Sequence, residues 1–251
     1  MSVSLGTVYA ILPAYNESWN IGDLLARFRA MEREGLVEAC RLVVVDDGSE
    51  DDTGEIARNA VDGLDVHVIR HPKNLGLTAA LLSGVEYVVG EGKEGDVVVF
   101  MDADDTHDPV ILPEMVRRLD GGAGCVIASR YRPGSRQVGV PWLRRLLSRG
   151  ANLLFWVLFR FPGIRDYTCG FRAVRWTVLQ QVWAVHGREL ITARGFACTD
   201  ELLLHITPYI RRFEEIPFVL RYDRKRGKSK LQWGQTISNT LRILWRNRRM
   251  R

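Results

Sequence analysis

The sequence lacks both familiar glycine signatures for binding phosphate. No GxGxxG follows the first predicted strand, and no GxxxxGK[ST] occurs anywhere. Any phosphate must therefore be handled by a cation and basic side chains. Cysteine is sparse and scattered: Cys40, Cys125, Cys169 and Cys198 form no CxxC pair and read as reduced thiols of a cytosolic protein. Long apolar runs are missing too. The longest, Ala151 to Phe159, is interrupted by Asn152 and falls far short of the ~18–20 residues that cross a bilayer. The N-terminal run Val8 to Leu12 is short and has no basic segment before it, so no signal peptide is expected. There is no internal repeat and no low-complexity segment. These absences leave a soluble or peripheral protein.

What is present is ordinary globular material: 251 residues, 46% hydrophobic and 26% charged, which argues against disorder. The formal net charge of +5 is unevenly spread. Residues 221–251 hold eleven Lys and Arg against one acid, Asp223, so the body is mildly acidic and the C-terminal end basic. Such an end suits an anionic partner: a phosphorylated substrate, an anionic membrane or a nucleic acid.

The central feature is VVVFMDADDTHDP, Val97 to Pro109. A β-branched and aromatic run bounded by breakers reads as a buried parallel strand. Asp102, Asp104, Asp105 and Asp108 follow where that strand leaves its sheet. Ligands bind at this edge of open α/β sheets. Crowded carboxylates need an offsetting charge, and a hard divalent cation held by one or two of them, with water and substrate phosphates, supplies it. The competing reading is a solvated acidic turn capping the helix that starts near Pro109.

Strands at Thr7–Leu12, Leu42–Val45, Val66–Ile69, Val97–Phe100 and Cys125–Ala128 alternate with helices, which predicts a parallel sheet covered on both faces. Ser18 is the expected N-cap of the first helix, which runs to about Glu34 with Ile21, Leu24, Leu25, Phe28 and Met31 on one face. PAYNE, Pro13 to Glu17, and VVVDDGSED, Val43 to Asp51, sit at strand ends on the same edge as the acids. A strand-end carboxylate there can accept from a base N–H or a ribose hydroxyl, and Tyr15 can stack on a base. Turn chemistry is the alternative, since Asn, Asp, Gly and Ser all form turns.

In the second half Trp142 to Phe161 is helical in pattern, Asp166 to Val174 reads as a turn before another helix, and Phe213 to Leu220 as an edge strand broken by Pro217. Arg221 to Lys230 is a basic loop, and a last helix from Leu231 to about Arg246 puts Trp233, Ile237, Leu241, Leu244 and Trp245 on one side. Arg130, Arg144, Arg224, Lys228 and Lys230 are candidate phosphate binders, because Arg presents a fork and Lys a point charge. Ser148 lies one helical turn after Arg144. The Trp, Leu and Arg mixture of the helix at 142–161 and of the last helix suits a membrane interface.

Taken together, PAYNE, VVVDDGSED, NLGLTAAL, MDAD, SRY, RRLLS, DYTCGFRA and DRKRGKSK, in that order, resemble the family 2 inverting glycosyltransferases with the GT-A fold. Within them the chain looks like the polyprenyl-phosphate sugar synthases of the dolichyl-phosphate mannose type. The resemblance covers about residues 7–235 and implies one glycosyltransferase domain over 1–230. Its nucleotide-sugar half would be about 1–130, its acceptor half about 131–230, and a basic amphipathic helix would follow at 231–251. It implies that Pro13, Tyr15, Glu17, Val45, Asp47, Ala103, Thr106, Arg224 and Lys230, with Asp102 and Asp104, hold the nucleotide-sugar. Asp102 and Asp104 would be the metal-binding DxD pair for Mg²⁺ or Mn²⁺, catalytic together with Arg224. Arg130, Arg144 and Ser148 would hold the acceptor phosphate. Many relatives have Gln where this chain has Thr106, which touches the metal shell or the sugar preference.

A polyprenyl monophosphate is largely dianionic at neutral pH, with a second pKa near ~6, and needs no strong general base. Alignment and electrostatics would then suffice, with inversion at the anomeric carbon. Asp105 is a weak candidate base, and His107 reads as a structural turn residue. The expected reaction is hexose transfer from a nucleotide-sugar, GDP-mannose before UDP-glucose, to dolichyl or polyprenyl phosphate at the cytoplasmic membrane face, by a peripheral protein that binds no nucleic acid. Transfer to a non-lipid acceptor is the rival enzymatic reading, though the QxxRW-type motif of polysaccharide synthases is missing. A non-catalytic protein using its basic tail is the rival from another class.

Overall fold

The apolar runs converge on one sheet. The computed structural model describes residues 6–35, 40–59, 63–226 and 233–247. Its main sheet has seven strands: Val8–Ala14 (β1), Cys40–Asp46 (β2), Asp65–Arg70 (β3), Val97–Phe100 (β4), Cys125–Ser129 (β5), Arg172–Arg175 (β7) and Phe213–Pro217 (β8). The order is β3-β2-β1-β4-β7-β5-β8. Arg136–Val138 (β6) and Val219–Arg221 (β9) form a small parallel pair of their own. Every pairing in the main sheet is parallel except those of β7, which is antiparallel to both β4 and β5.

The helices are Ser18–Arg33 (α1), Thr53–Arg58 (α2), Leu77–Glu91 (α3), Leu112–Asp120 (α4), Trp142–Phe159 (α5), Trp176–His186 (α6), Ala197–Ile206 (α7) and Trp233–Arg246 (α8). Residues Pro109–Ile111 form a 3-10 turn that leads into α4. β1, β2, β4 and β5 are buried along almost their whole length, as expected of strands covered on both faces. On α1 the predicted face, Ile21, Leu24, Leu25, Phe28 and Met31, is buried. Each such side chain contributes about 1.5–3 kcal/mol by leaving water.

Local departures have physical reasons. Ser18 is the first helical residue rather than the N-cap; Glu17 takes that place, and its carboxylate accepts from Asn20 Nδ2 at 2.7 Å instead of capping the helix. Within Asp166–Val174, read as a turn, Arg172–Arg175 is a strand. The long guanidinium of Arg172 is buried and donates to the carbonyls of Thr199 (2.5 Å) and Tyr167 (2.6 Å), so a charged residue lies inside the sheet layer. On α8 the buried positions include Asn239, Thr240, Ile243 and Leu244, while Leu241 and Trp245 are exposed, which corrects the predicted face. The side chains of Trp233 and Ile237 lie outside the described residues. No described helix is long and apolar enough to cross a membrane.

Candidate active site

β1 has β2 on one side and β4 on the other, all three parallel, so their carboxyl ends open a crevice where the chain's winding changes direction. The register places Pro13 beside Val45 and Ala14 beside Asp46, so the PAYNE and DDGS segments leave the sheet side by side. A cleft of about 990 Å³ lies there. It is lined by Pro13, Tyr15, Glu17, Asp47, Asp102, Ala103 and Asp104. Seven of the sequence-predicted donor residues thus meet on one surface. Val45 does not: it is fully buried inside β2. Lys228 and Lys230 lie outside the described residues.

Asp47 has a definite task within the protein. Its carboxylate accepts from His71 Nδ1 (2.6 Å) and from the backbone N–H groups of Leu75 (2.9 Å) and Gly76 (2.8 Å). It thereby fixes the loop before α3, which forms one wall of the cleft. Gly48, at φ +71°, lets the chain turn against that loop; a Cβ there would run into the Lys73–Asn74 backbone.

The acidic segment is a folded loop, not a solvated turn. The Asp102 N–H donates to His107 Nδ1 at 3.2 Å, and the His107 ring stacks on Phe171 at 5.0 Å. His107 therefore holds the loop's shape, the structural part expected of it. Asp104 Oδ1 accepts from the Thr106 hydroxyl at 2.6 Å. Its other oxygen pairs with the Lys225 ammonium. Asp105, in the left-handed region at φ +57°, pairs with Arg27 Nε at 3.0 Å. Asp108 accepts from Arg224 Nη1 at 3.0 Å. The segment 221–226 is therefore laced across the acids, helped by the Arg221 N–H, which donates to the Thr106 carbonyl at 2.9 Å.

The electrostatics separate the two central acids. Loss of hydration, opposed by His107, raises the Asp102 pKa above the ordinary carboxylate value. Burial pushes Asp104 the same way, but the charge and hydrogen bond of Lys225, with the Thr106 hydroxyl, outweigh it and hold Asp104 below that value. Asp102 and Asp104 are hard oxygen donors of the type that Mg²⁺ or Mn²⁺, completed by water and phosphate oxygens, takes, and Lys225 occupies the Asp104 oxygen that an ion would use.

A second cavity of about 550 Å³ adjoins the cleft, and Asp102, Asp104 and Lys225 line both. Arg130, Arg144, Ser148 and Thr106 line this second cavity, so the predicted acceptor residues also come together. Arg130 is anchored to the fully buried Asp166 by its backbone N–H (2.9 Å), Nε (2.8 Å) and Nη2 (2.6 Å). Burial works against its charge, but Asp166 more than compensates and keeps the guanidinium protonated. Arg144 lies over the Tyr222 ring at 4.8 Å and donates to its hydroxyl at 3.1 Å. Ser148 Oγ is 3.2 Å from Tyr131 Oη. Away from these polar groups the wall becomes apolar, with Leu146, Leu147 and Leu154 of α5 and Leu241 of α8. Outside it, Trp142, Leu153, Trp156 and Val157 of α5 stand exposed.

Sequence reasoning missed Lys225, Asp166, Thr168, whose hydroxyl accepts from Arg130 Nη2 at 2.6 Å, and the buried Asp200, which lines the second cavity. Lys225 stood inside a segment already recognised as basic, and Asp166 and Thr168 inside a motif already quoted. Asp200, on α7, had no signal beyond an acid in an apolar helix.

Sheet order and cleft together are those of a GT-A glycosyltransferase fold. Solved structures of glucosyl-3-phosphoglycerate synthase from Mycobacterium tuberculosis superpose on it. The one in complex with Mn²⁺, UDP-glucose and phosphoglyceric acid has a TM-score of 0.69 at 20% identity, covering 96% of this chain and 79% of that one. At that identity the likeness is one of fold. Residues 9–183 match Glycosyl transferase family 2, and the chain belongs to that family. It is 36% identical over 241 residues to a dolichol-phosphate mannosyltransferase of Pyrococcus furiosus, covering 95% of this chain but only 63% of that protein's length. It is 37% identical to a polyprenol monophosphomannose synthase of Mycolicibacterium smegmatis, covering 88% of this chain and 79% of the relative. To an undecaprenyl-phosphate mannosyltransferase of Micrococcus luteus it is 30% identical, covering 90% and 88%.

Proposed function

We propose that the protein transfers mannose from GDP-mannose to a polyprenyl phosphate, with inversion, at a membrane surface. The observation that carries this reading is the pair of cavities sharing the wall Asp102, Asp104 and Lys225. One has the size and polar floor for a nucleotide-sugar. The other runs from Arg130, Arg144 and Ser148 to leucines of α5 and α8, polar where a phosphate would sit and apolar where a prenyl chain would leave. The relatives at 30–37% identity, named as mannosyltransferases or mannose synthases of lipid phosphates, support mannose as the sugar and a lipid phosphate as the acceptor.

In this reading residues 1–130 form the donor half and 131–230 the acceptor half, followed by the C-terminal helix α8, Trp233–Arg246; the rest of the expected helix at 231–251 lies outside the described residues but for Asn247. Pro13, Tyr15, Glu17 and Ala103 border the nucleoside and sugar, while Asp47 shapes the cleft wall. Asp102 and Asp104 would hold a divalent ion, which when bound supplies charge neutralisation for the departing nucleoside diphosphate. Lys225 brings positive charge to the same place from the segment 221–226, whereas Arg224 of that segment pairs with Asp108 and lines neither cavity. Arg130, locked by Asp166, and Arg144 align the acceptor phosphate oxygen with the anomeric carbon, so that catalysis rests on alignment and charge. The exposed Trp142, Leu153 and Trp156, next to basic residues such as Arg149, suit the headgroup region of a bilayer.

The test is transfer of radiolabel from GDP-mannose or UDP-glucose to a polyprenyl phosphate, with Mg²⁺ or Mn²⁺, followed by organic extraction. Label in the organic phase, lost with EDTA and with Asp104→Ala, is the expected result. Label from UDP-glucose alone would replace the sugar. No lipid product, beside measurable nucleotide-sugar binding, would overturn the lipid acceptor.

A further inference from the structure

Asp200 is a buried acid that the scheme above leaves unused. It lies on α7, is 5% exposed, and lines the same cavity as Arg130, Arg144 and Ser148. Among the described residues no hydrogen bond or ion pair reaches its carboxyl. A buried carboxyl without a partner is costly and calls for an explanation. Asp200 borders the second cavity, so the small surface that it keeps opens there.

The charges around it are accounted for. Arg172 of β7 and Arg130 after β5 face Asp200 favourably, Asp166 unfavourably, and the Cys198 thiol lies on the same helix. Arg130 is already neutralised by Asp166, and Lys225 by Asp104. Arg144 is the one Arg or Lys of the cavity wall with no ion-pair partner among the described residues. Arg172, behind the wall, has no ion-pair partner among the described residues either, yet a dianionic phosphate beside an ionised Asp200 brings three negative charges against the two of Arg144 and Arg172. One proton between the two groups removes the conflict.

Resting on the lipid-phosphate reading above, we propose that Asp200 is a positioning residue for the acceptor: its carboxyl and the acceptor phosphate hold a single proton between them. That hydrogen bond fixes one phosphate oxygen against α7 and leaves another to face the donor. As the new carbon–oxygen bond forms and the nucleoside diphosphate departs, the phosphate becomes a diester that cannot retain a proton, so the proton ends on Asp200. Burial, only partly opposed by Arg172 and Arg130, lifts the Asp200 pKa to about 7, close to the second pKa of a phosphate monoester at about 6. Matched acidities favour a shared proton.

The experiment is calorimetric titration of geranyl phosphate into the wild-type protein, Asp200→Asn and Asp200→Leu between about pH 5 and about pH 9. Transfer kinetics are measured alongside. With one proton in the complex, wild-type affinity peaks between about pH 6 and about pH 7 and falls about tenfold per pH unit on the alkaline side. Asp200→Asn, a donor that does not titrate, loses the alkaline limb and binds more tightly than wild type at about pH 8. Asp200→Leu raises the acceptor KM at least about fivefold at the optimum and leaves the donor KM unchanged, about 1 kcal/mol by the usual conversion. An Asp200→Asn profile with the wild-type alkaline limb overturns the inference alone. Wild-type protein that is folded and binds nucleotide-sugar but not geranyl phosphate overturns the lipid-phosphate reading, and this inference with it.

Discussion

Replacing Asp166 by Asn tests how Arg130 is held. Asp166 has no exposed surface and accepts three hydrogen bonds from Arg130 at 2.6–2.9 Å, while the Arg130 side chain is 13% exposed. Asn keeps the shape but removes the charge, leaving a nearly buried guanidinium uncompensated. Breaking one partner of a buried pair costs about 3–5 kcal/mol. For a chain of this size that lowers Tm by about 6–15 °C. The double variant Arg130→Met, Asp166→Leu removes both charges and fills the space, so it should regain most of the loss. It should nevertheless transfer no sugar, because the cavity has lost its phosphate anchor. Thermal unfolding by circular dichroism, read beside the transfer assay, separates the two effects. An Asp166→Asn protein with wild-type Tm, or a double variant no more stable than the single one, would refute the reasoning.

Three other outcomes follow from the same geometry. Asp104 is held below its ordinary pKa, so its ionised form adds stability above about pH 4 that disappears as pH falls through the depressed value. Lys225→Met should flatten that acid limb, losing less stability than wild type between about pH 7 and about pH 3 in urea titrations; an unchanged limb would deny the ion pair. Burial raises the thiols of Cys40, Cys125 and Cys169 to about 12 and Cys198 higher still, so all four stay protonated at neutral pH. None should react with Ellman's reagent until the protein unfolds, and a fast-reacting thiol in the native protein would contradict the burial. Gly48→Ala should cost roughly 1–3 kcal/mol from its positive φ and should weaken nucleotide-sugar binding, because the colliding backbone at Lys73–Asn74 belongs to the cleft wall. Wild-type donor affinity in that variant would show that the wall is not part of the site.

The strands of the first half were legible because each is a β-branched run closed by Asn, Asp, Gly or Pro, a pattern that buried parallel strands impose. The edge on which PAYNE, DDGS and the acids gather follows from that topology, so most of the named residues that line the cleft could be read from the sequence. The acceptor half was less legible. Arg172–Arg175 carries two arginines in four residues; it is a strand because it pairs with β4 and β5, and side-chain bonds from Arg172 to the carbonyls of Tyr167 and Thr199 accommodate the buried charge. On α8 the helical period is clear but its phase is not. Leu241 and Trp245 look like core, while Asn239 is held inward by its amide, which donates to the Arg194 carbonyl at 3.0 Å. In the basic segment, composition showed that cations were present but not which one folds back on Asp104. That choice depends on where β9 ends, which a run of Lys and Arg does not encode.

The antiparallel strand β7 has a consequence for how such an enzyme can vary. β4 delivers the acids and β5 delivers Arg130, and both pair with β7, β4 along Arg172–Arg175 and β5 along Arg172, Ala173 and Val174. Adjacent strands are about 4.8 Å apart, so the two delivery points are set about 10 Å apart by two strand widths. That spacing works as a caliper built into the sheet. Helices and loops beyond the strand ends can be lengthened, exchanged or fused to other modules, and the gauge between donor and acceptor stays the same.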